Sequence, residues 1–187
     1  MVRKKTTKFK GSILGIIFGV SIGFGYEEFY GIGTWHSAEM ETKDANVCFT
    51  PPKGCADLIA KEIQSARKSL YLQAYGFSSL PIINQVKFAQ RRGVRVRILL
   101  DSSNFSAKKS LISDLRSEGI EVVQDKVPGI AHNKIIIIDE AKVITGSFNF
   151  TKAADTRNAE NVILIKDPKL SSIYLENWKS RYNKSKL

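Results

Sequence analysis

The chain contains few cysteines and few histidines, two of each in 187 residues. Two cysteines exclude a small scaffold held together by many disulfides, and two histidines exclude a histidine-rich metal site. A hydrophobic fraction of 43% excludes a disordered chain. The length predicts one folded domain with a short appendage, because domains usually contain about 100–200 residues.

The excess of positive charge lies mainly at the two ends of the chain, whose formal net charge is +11. Residues 1–10 contain five basic residues and residues 178–187 contain four, with no acidic residue in either segment. The region between them is close to neutral. The basic composition therefore does not by itself indicate a nucleic-acid-binding protein.

A stretch without charges follows the basic N-terminus. Residues 11–26 are uncharged, and a membrane-spanning helix usually needs about 17–25 apolar residues. Because Lys10 can extend its amine to the lipid surface and Tyr26 can lie at the far interface, we expect a membrane anchor. A cleaved signal peptide is the alternative, although residues 23–25 match a cleavage site poorly. The basic N-terminus would stay in the cytoplasm, with the rest of the chain outside it.

Glycines recur every four residues in this segment, at Gly11, Gly15, Gly19 and Gly23. In a helix they would lie along one face, and such faces let two membrane helices approach closely. The pattern fits pairing of two anchors, and it fits equally the general frequency of glycine in membrane segments.

Cys48 and Cys55 flank the short segment FTPPKG. In the oxidising compartment expected for this part of the chain, the two thiols could form a disulfide. Metal ligation is an alternative, but no CxxC pair or nearby histidine completes a zinc site. Two free thiols are the remaining alternative.

Three regions follow from these patterns: the N-terminal segment 1–26, a polar linker 27–46 and a folded domain 47–187. Apolar spacing and glycine positions predict helices over 56–68, 80–92, 107–118 and 168–182, and strands over 69–75, 94–100, 120–124, 134–139, 142–145 and 161–165. Strands that alternate with helices are typical of βαβ units. The sequence therefore predicts an α/β fold with a mixed, mostly parallel sheet flanked by helices.

Polar residues cluster within the otherwise apolar segment 131–161. If the segments are strands, His132 and Lys134 point to one face because they are two residues apart, and so do Ser147 and Asn149. Two neighbouring strands would then direct an imidazole, an ammonium, a hydroxyl and an amide to one point. These groups supply a nucleophile or proton carrier and several donors for phosphate oxygens.

The pattern H-x-K-x4-D followed by G-S-x-N closely resembles the signature of the phospholipase D superfamily. Motifs within Cys48–Asp101 and the sequence RNAEN at 157–161 are similar to its small bacterial endonuclease branch, and to mitochondrial Zucchini-type enzymes. The resemblance covers about residues 47–168 and implies the phospholipase D-like fold. Asp139 belongs to the signature, but by alternation it lies on the face opposite to His132, so we expect a structural role.

The resemblance implies a role for each matching residue. His132 would attack phosphorus and form a phosphohistidine, while Lys134 and Asn149 would bind the phosphate oxygens, with Ser147 as a further donor. Glu160 would accept a hydrogen bond from the far nitrogen of His132 and fix its tautomer. No metal ion or other cofactor is expected.

The chain contains one such motif, and the reaction needs a second group to protonate the leaving oxygen. The other histidine, His36, lies in the linker outside any matching motif. Family members with a single motif pair as two-fold dimers that share one site. We therefore expect a homodimer with an isologous contact, held in a bacterial inner membrane through residues 11–26, or secreted if the segment is cleaved.

Two substrate classes remain after this reasoning. A nuclease is favoured by a basic block between residues 87 and 109 that could line a groove for a nucleic-acid backbone. A phospholipase that cleaves lipid headgroups is the alternative, since it would suit a membrane anchor. A third hypothesis is an inactive, membrane-tethered nucleic-acid binder. The candidate substrate-binding residues of the block are Arg91, Arg92, Arg95, Arg97, Lys108 and Lys109.

Overall fold

The computed structural model describes residues 44–107 and 109–187, with no side-chain description for residues 107–110. The predicted membrane segment 11–26 and residues 27–43 of the linker lie outside the described residues, as does Lys108. Within the described ranges, no helix is long and apolar enough to cross a membrane.

Short apolar runs form the strands, and amphipathic segments form the helices between them. The strands are β1 (Ala45–Thr50), β2 (Ser69–Ala74), β3 (Arg95–Leu100), β4 (Glu121–Gln124), β5 (Lys134–Ile138), β6 (Lys142–Gly146) and β7 (Glu160–Ile165). The helices are α1 (Cys55–Gln64), α2 (Leu80–Arg91), α3 (Ser102–Ala107), α4 (Lys109–Ser117), α5 (Lys152–Thr156) and α6 (Pro168–Lys186).

The described strands form one sheet in the order β1-β7-β6-β5-β2-β3-β4. Only the pairs β2–β3 and β3–β4 are parallel, and the other neighbours are antiparallel. The prediction of a mixed sheet is confirmed, but the prediction of a mostly parallel one is wrong. The connection between β5 and β6, residues 139–141, is too short for the crossover that a parallel pair requires.

Helices cover both faces of the sheet. Strand β5 shows the alternation: Ile136 and Ile138 pack in the core under α1 and α2, whereas Ile135 and Ile137 pack under α6. On the α6 side, the indole N–H of Trp178 donates to the carbonyl of Leu72 at 3.1 Å. The central strands are therefore buried on both faces, which explains their continuous apolar sequences.

Some elements differ from those predicted. Strand β1 begins at Ala45, inside the segment 27–46 that was predicted to be linker. The helix predicted over 107–118 has helical residues before it, because α3 begins at Ser102. The short helix α5 was not predicted; the hydroxyl of Thr151 caps it by accepting from the backbone N–H of Ala154 at 3.2 Å.

The two cysteines join the edge strand to the first helix. Cys48 in β1 and Cys55 at the start of α1 form a disulfide, with their Cα atoms 5.7 Å apart. Of the three alternatives for this pair, the structure contains the disulfide.

Candidate active site

The predicted catalytic residues meet at one end of the sheet. Strands β5, β6 and β7 are antiparallel neighbours, with Ile136 opposite Ile144 and Gly146 opposite Val162. The start of β5, the end of β6 and the start of β7 therefore lie together. We call this the His132 end of the sheet; the last residues of β2 and β3 also reach it, since Ala74 pairs with Lys134 and Leu100.

These residues come together for a different reason from the one predicted. His132 precedes β5, and Ser147 and Asn149 follow β6, so none of the three lies on a strand. Alternation of faces therefore does not apply to them. They meet because neighbouring strand ends meet, and backbone bonds hold the flanking loops; for example, Tyr75 N–H donates to the carbonyl of Asn133 at 2.9 Å.

The imidazole of His132 is exposed and packs against one aromatic ring. The ring centroids of His132 and Tyr75 lie 4.8 Å apart, at an interplanar angle of 58°. The Lys134 ammonium lies over the same Tyr75 ring, 5.5 Å from its centroid. Tyr75 thus supports both groups, while the imidazole stays open to a substrate.

Lys134 is a buried cation at the base of the site, with 6% of its surface exposed. Its ammonium donates to the carbonyl of His132 at 2.8 Å. Burial lowers the pKa of Lys134, and the nearby carboxylate of Glu160 opposes that shift. The remaining N–H donors of Lys134 can stabilise a phosphate, and a partly desolvated ammonium does so more strongly than one in water.

Asn149 presents an amide whose oxygen is unpaired within the described structure. Its side chain packs against Gly76, where an added Cβ would lie 3.2 Å from Asn149 Cβ and 3.0 Å from Thr151 Cγ2. A buried polar atom without a partner is unusual in a native protein. The amide nitrogen of Asn149, not this oxygen, is the donor that could bond a phosphate oxygen.

Ser147 and Glu160 form a hydrogen-bonded pair. The Ser147 hydroxyl donates to Glu160 Oε2 at 2.6 Å, and Asn158 Nδ2 donates to Glu160 Oε1 at 2.9 Å. Asn161 donates to the Ser147 hydroxyl oxygen from its backbone N–H at 3.1 Å and its amide at 3.3 Å. In this structure the single Ser147 proton is directed to Glu160.

The bond predicted from His132 to Glu160 is not formed in the described structure. Both oxygens of Glu160 accept from Ser147 and Asn158 instead. The Glu160 carboxylate, bonded to these partners, is close enough to Lys134 for its charge to act on the ammonium. The carboxylate therefore balances the buried ammonium in this conformation.

One supporting residue, Asp101, was not assigned a role from the sequence. Asp101, at the end of β3, is buried, and its carboxylate accepts from the backbone N–H of Ala131 at 2.8 Å and of Ser103 at 2.9 Å. Burial raises the pKa of Asp101, but these hydrogen bonds outweigh burial and lower it overall. Asp101 thus fixes the backbone next to His132; the only sequence signal was an acid directly after a strand.

Asp139 lies at the opposite end of β5, away from the site. It occupies the turn between β5 and β6 with a positive φ of 53°. Its carboxylate accepts from the backbone N–H groups of Arg67, Lys68 and Ser69 at 2.7–3.1 Å. Burial opposes its ionisation, yet these bonds lower the pKa of Asp139 overall. This geometry agrees with the structural role expected for it.

The four arginines of the predicted substrate-binding block do not lie at the His132 end. Arg95 begins β3, at the opposite end of the sheet, and Arg97 pairs with Glu121 at 3.2 Å. Arg91 pairs with Glu118, and Arg92 donates to the carbonyl of Gln64 at 3.2 Å. Alternation along β3 was predicted correctly, but the strand direction carries these arginines away from His132. Lys108 is outside the described residues, and the Lys109 side chain is not described.

Possible ligands for a metal ion are sparse in this region. Across the described ranges, no group of three or more histidine, cysteine, aspartate or glutamate residues is arranged to hold a metal ion.

This chain is similar to known proteins in sequence and in fold. The family model described as "Cardiolipin synthase, PLD-like domain" matches residues 59–182. "Phospholipase D" of Rickettsia bellii is 47% identical, over 96% of this chain and 98% of its own length. Human "Mitochondrial cardiolipin hydrolase" is 37% identical, over 64% of this chain and 48% of its own length.

A solved structure shares the fold. Nuc from Salmonella typhimurium, described as a phospholipase D family member, aligns with a TM-score of 0.69 and 36% identity. The alignment covers 74% of this chain and 93% of Nuc. The segment matched by the family model contains all five residues predicted to be catalytic: His132, Lys134, Ser147, Asn149 and Glu160.

Proposed function

The chain belongs to the phospholipase D superfamily and is a phosphodiesterase of that family; from this premise, we propose that it is an endonuclease that cleaves DNA or RNA through a phosphohistidine intermediate. The observation that carries the proposal is the exposed imidazole of His132 beside the buried ammonium of Lys134. A nucleophile next to a fixed cation is the minimum that a phosphodiester displacement requires.

The proposed reaction has two displacements. An imidazole nitrogen of His132 attacks phosphorus, a P–N bond forms, and the bond from phosphorus to the leaving oxygen breaks as that oxygen takes a proton. Water then attacks the same phosphorus, the P–N bond breaks, and His132 is released. The water proton returns to the group that protonated the leaving oxygen.

Lys134 and Asn149 would stabilise the charge that develops on the non-bridging oxygens. Lys134 is fixed by burial and by its bond to the His132 carbonyl, and Asn149 is fixed by its packing on Gly76. Fixed donors need little reorganisation during the reaction, which makes them effective in catalysis. The displacement is therefore proposed to proceed without a metal ion.

A second copy of the chain would supply the proton donor. His132 is the only histidine between residues 44 and 187, and each displacement needs an acid or base besides the nucleophile. Two His132 side chains related by a two-fold axis would satisfy that need. We propose the homodimer on this chemical ground, with the membrane anchor or signal at residues 11–26 placing the domain outside the cytoplasm.

Nucleic acid is the proposed substrate because cations flank the motif. Lys53 and Lys152 line a cavity of about 390 Å³ together with Asp57 and Asp155. Lys152 begins α5, three residues after Asn149, and is exposed. Arg157, in the sequence RNAEN, is exposed. A strand with repeated phosphates would contact such cations on either side of the scissile bond.

A phospholipid headgroup is the second candidate. The Rickettsia relatives carry the name phospholipase D, and a human relative is named for cardiolipin hydrolysis. Exposed apolar side chains at Phe49, Leu80 and Ile130 would also tolerate an acyl surface.

A substrate panel separates the candidates. The full chain is incubated in chelator with single-stranded DNA, duplex DNA, RNA, and vesicles of phosphatidylcholine or cardiolipin. We expect cleavage of a nucleic acid, loss of turnover in His132→Ala, and normal turnover in the matched control His36→Ala. Cleavage of lipid alone would reject the nuclease, and nucleic-acid binding without turnover would reject the enzyme.

A further inference from the structure

Five cationic side chains line a pocket at the end of the sheet opposite to the His132 end. The pocket has a volume of about 530 Å³. It lies where α1 and α2 end, β6 begins and β7 has just ended. We call it the basic pocket, and its charged lining consists of Lys61, Arg67, Arg92, Lys142, Lys166 and the carboxylate of Glu62.

The positive charge of the basic pocket is not balanced by its own carboxylate. Glu62 pairs with the Lys142 ammonium at 2.8 Å. Arg92 uses one nitrogen on the carbonyls of Ile63 and Gln64. Among the described residues, the amines of Lys61 and Lys166 have neither an ion pair nor a hydrogen bond. The pocket therefore offers several cations to an anion from outside.

The loop that carries Arg67 is fixed in place. Asp139 accepts three consecutive backbone N–H groups, those of Arg67, Lys68 and Ser69. These bonds occupy the Asp139 carboxylate and hold the loop against the turn between β5 and β6. The pocket is thus shaped before a ligand arrives, which reduces the entropic cost of binding.

The chain reaches the folded domain beside this pocket. The backbone N–H of Lys166 donates to the carbonyl of Asp44 at 3.0 Å, and residues 11–26, expected to lie in a membrane, precede Asp44 in the sequence. Residues 27–43 could span at most about 60 Å when fully extended. The anchor alone therefore does not determine which side of the domain meets the lipid surface.

We propose that the basic pocket binds the phosphate headgroups of anionic lipids and docks the domain on the membrane that holds its N-terminal segment. Clusters of lysine and arginine next to a membrane segment bind anionic lipid surfaces through charge. Docking goes beyond the proposed reaction and rests on the proposed nuclease, whose substrate would arrive from the aqueous phase. Strand β2 places the two ends of the sheet about 17 Å apart, so docking turns His132 toward the aqueous phase.

Lysine labelling of the full chain tests the docking. The protein is placed in nanodiscs of phosphatidylcholine alone, or with one third phosphatidylglycerol, and treated with a water-soluble acetylating reagent. Mass spectrometry compares Lys61 and Lys166 with Lys179 and Lys184, which are exposed on α6. We expect anionic discs to slow labelling of the pocket lysines about fivefold relative to the α6 lysines. About 1 M salt should abolish the difference, because the Debye length falls to about 3 Å.

Arg67→Gln should reduce this protection by about fivefold, the effect of one lost charge near the surface, whereas the matched Lys184→Gln should retain it, with Lys179 as the reference. Equal labelling in the two discs would overturn the proposal. In neutral discs, protection by inorganic phosphate alone would reassign the pocket to a soluble anion, and protection by an oligonucleotide would reassign it to the substrate. Neither outcome bears on turnover, so the proposed nuclease is judged separately.

Discussion

Two residues outside the predicted catalytic set, Gly146 and Asp101, shape the backbone around the site. Gly146 has a φ of +144°, and an added Cβ would lie 2.3 Å from the carbonyl oxygen of Asn161. That carbonyl accepts from the backbone N–H groups of Ser147 and Phe148. Only glycine allows β6 and β7 to approach this closely while the chain turns toward Asn149. Asp101 has the corresponding function on the other side, where it holds the backbone before His132.

Gly146→Ala should lower the free energy of unfolding by about 2 kcal/mol or more, from backbone strain and the clash with Asn161. Urea denaturation monitored by circular dichroism measures the change. Gly129→Ala is the matched control, because nothing lies within 4 Å of its added Cβ. Equal midpoints for the two variants would contradict the close approach seen at Gly146.

Asp101→Asn should change how stability depends on pH. The folded pKa of Asp101 is lowered, so its stabilisation is present above the unfolded pKa, near 4, and is lost as the pH falls through the folded pKa. The variant should be less stable at pH 7, by about 1–3 kcal/mol, and its stability should fall less between pH 5 and pH 2. Parallel unfolding curves for both proteins over that range would count against the carboxylate's role.

The sequence predicts where several strands lie along the chain, but it does not predict their partners or directions in the sheet. Apolar runs and terminal glycines locate β2, β3 and β5 to within one or two residues. The partner of β1 is β7, more than a hundred residues away, and no local pattern reports such a pairing. Alternation on β3 places Arg95 and Arg97 on one face of the sheet. It does not show at which end of the sheet they lie relative to His132. The motif predicted the site residues, whereas topology determined that the arginines lie elsewhere.

The disulfide joins strand β1 to helix α1, and its contribution to stability is simple to test. Replacing both Cys48 and Cys55 by serine should lower the free energy of unfolding by about 2–3 kcal/mol, because the closed loop is short. Thermal unfolding with and without dithiothreitol measures the effect. Reductant should destabilise the unmodified chain and leave the double variant unchanged; an unmodified chain insensitive to reductant would show that the crosslink is absent.

At the scale of the whole molecule, the sheet separates two surfaces. The His132 end carries the reactive groups, and the opposite end carries the basic pocket beside Asp44. If the domain docks on a membrane as proposed, this separation would let it meet a substrate from the aqueous phase. The proposed second copy would then pair at the His132 end without blocking the basic pocket.

Mixing experiments test whether two copies share one site. Equal amounts of unmodified chain and His132→Ala are mixed and exchanged to equilibrium. If both His132 side chains are needed, the mixture should have about one quarter of the activity of the same total amount of unmodified chain, because about one quarter of the dimers contain two unmodified copies. Independent subunits should retain about one half. Activity at the higher value would reject the shared site.

The central claim is a covalent bond between phosphorus and His132. The full chain is mixed with a substrate labelled at its phosphorus, quenched in alkali after milliseconds, and digested for mass spectrometry. We predict a transient adduct on the peptide that contains His132, stable in alkali, labile in acid and absent from His132→Ala. Rapid turnover with no adduct on that peptide, or an undiminished rate in His132→Ala, would contradict the account.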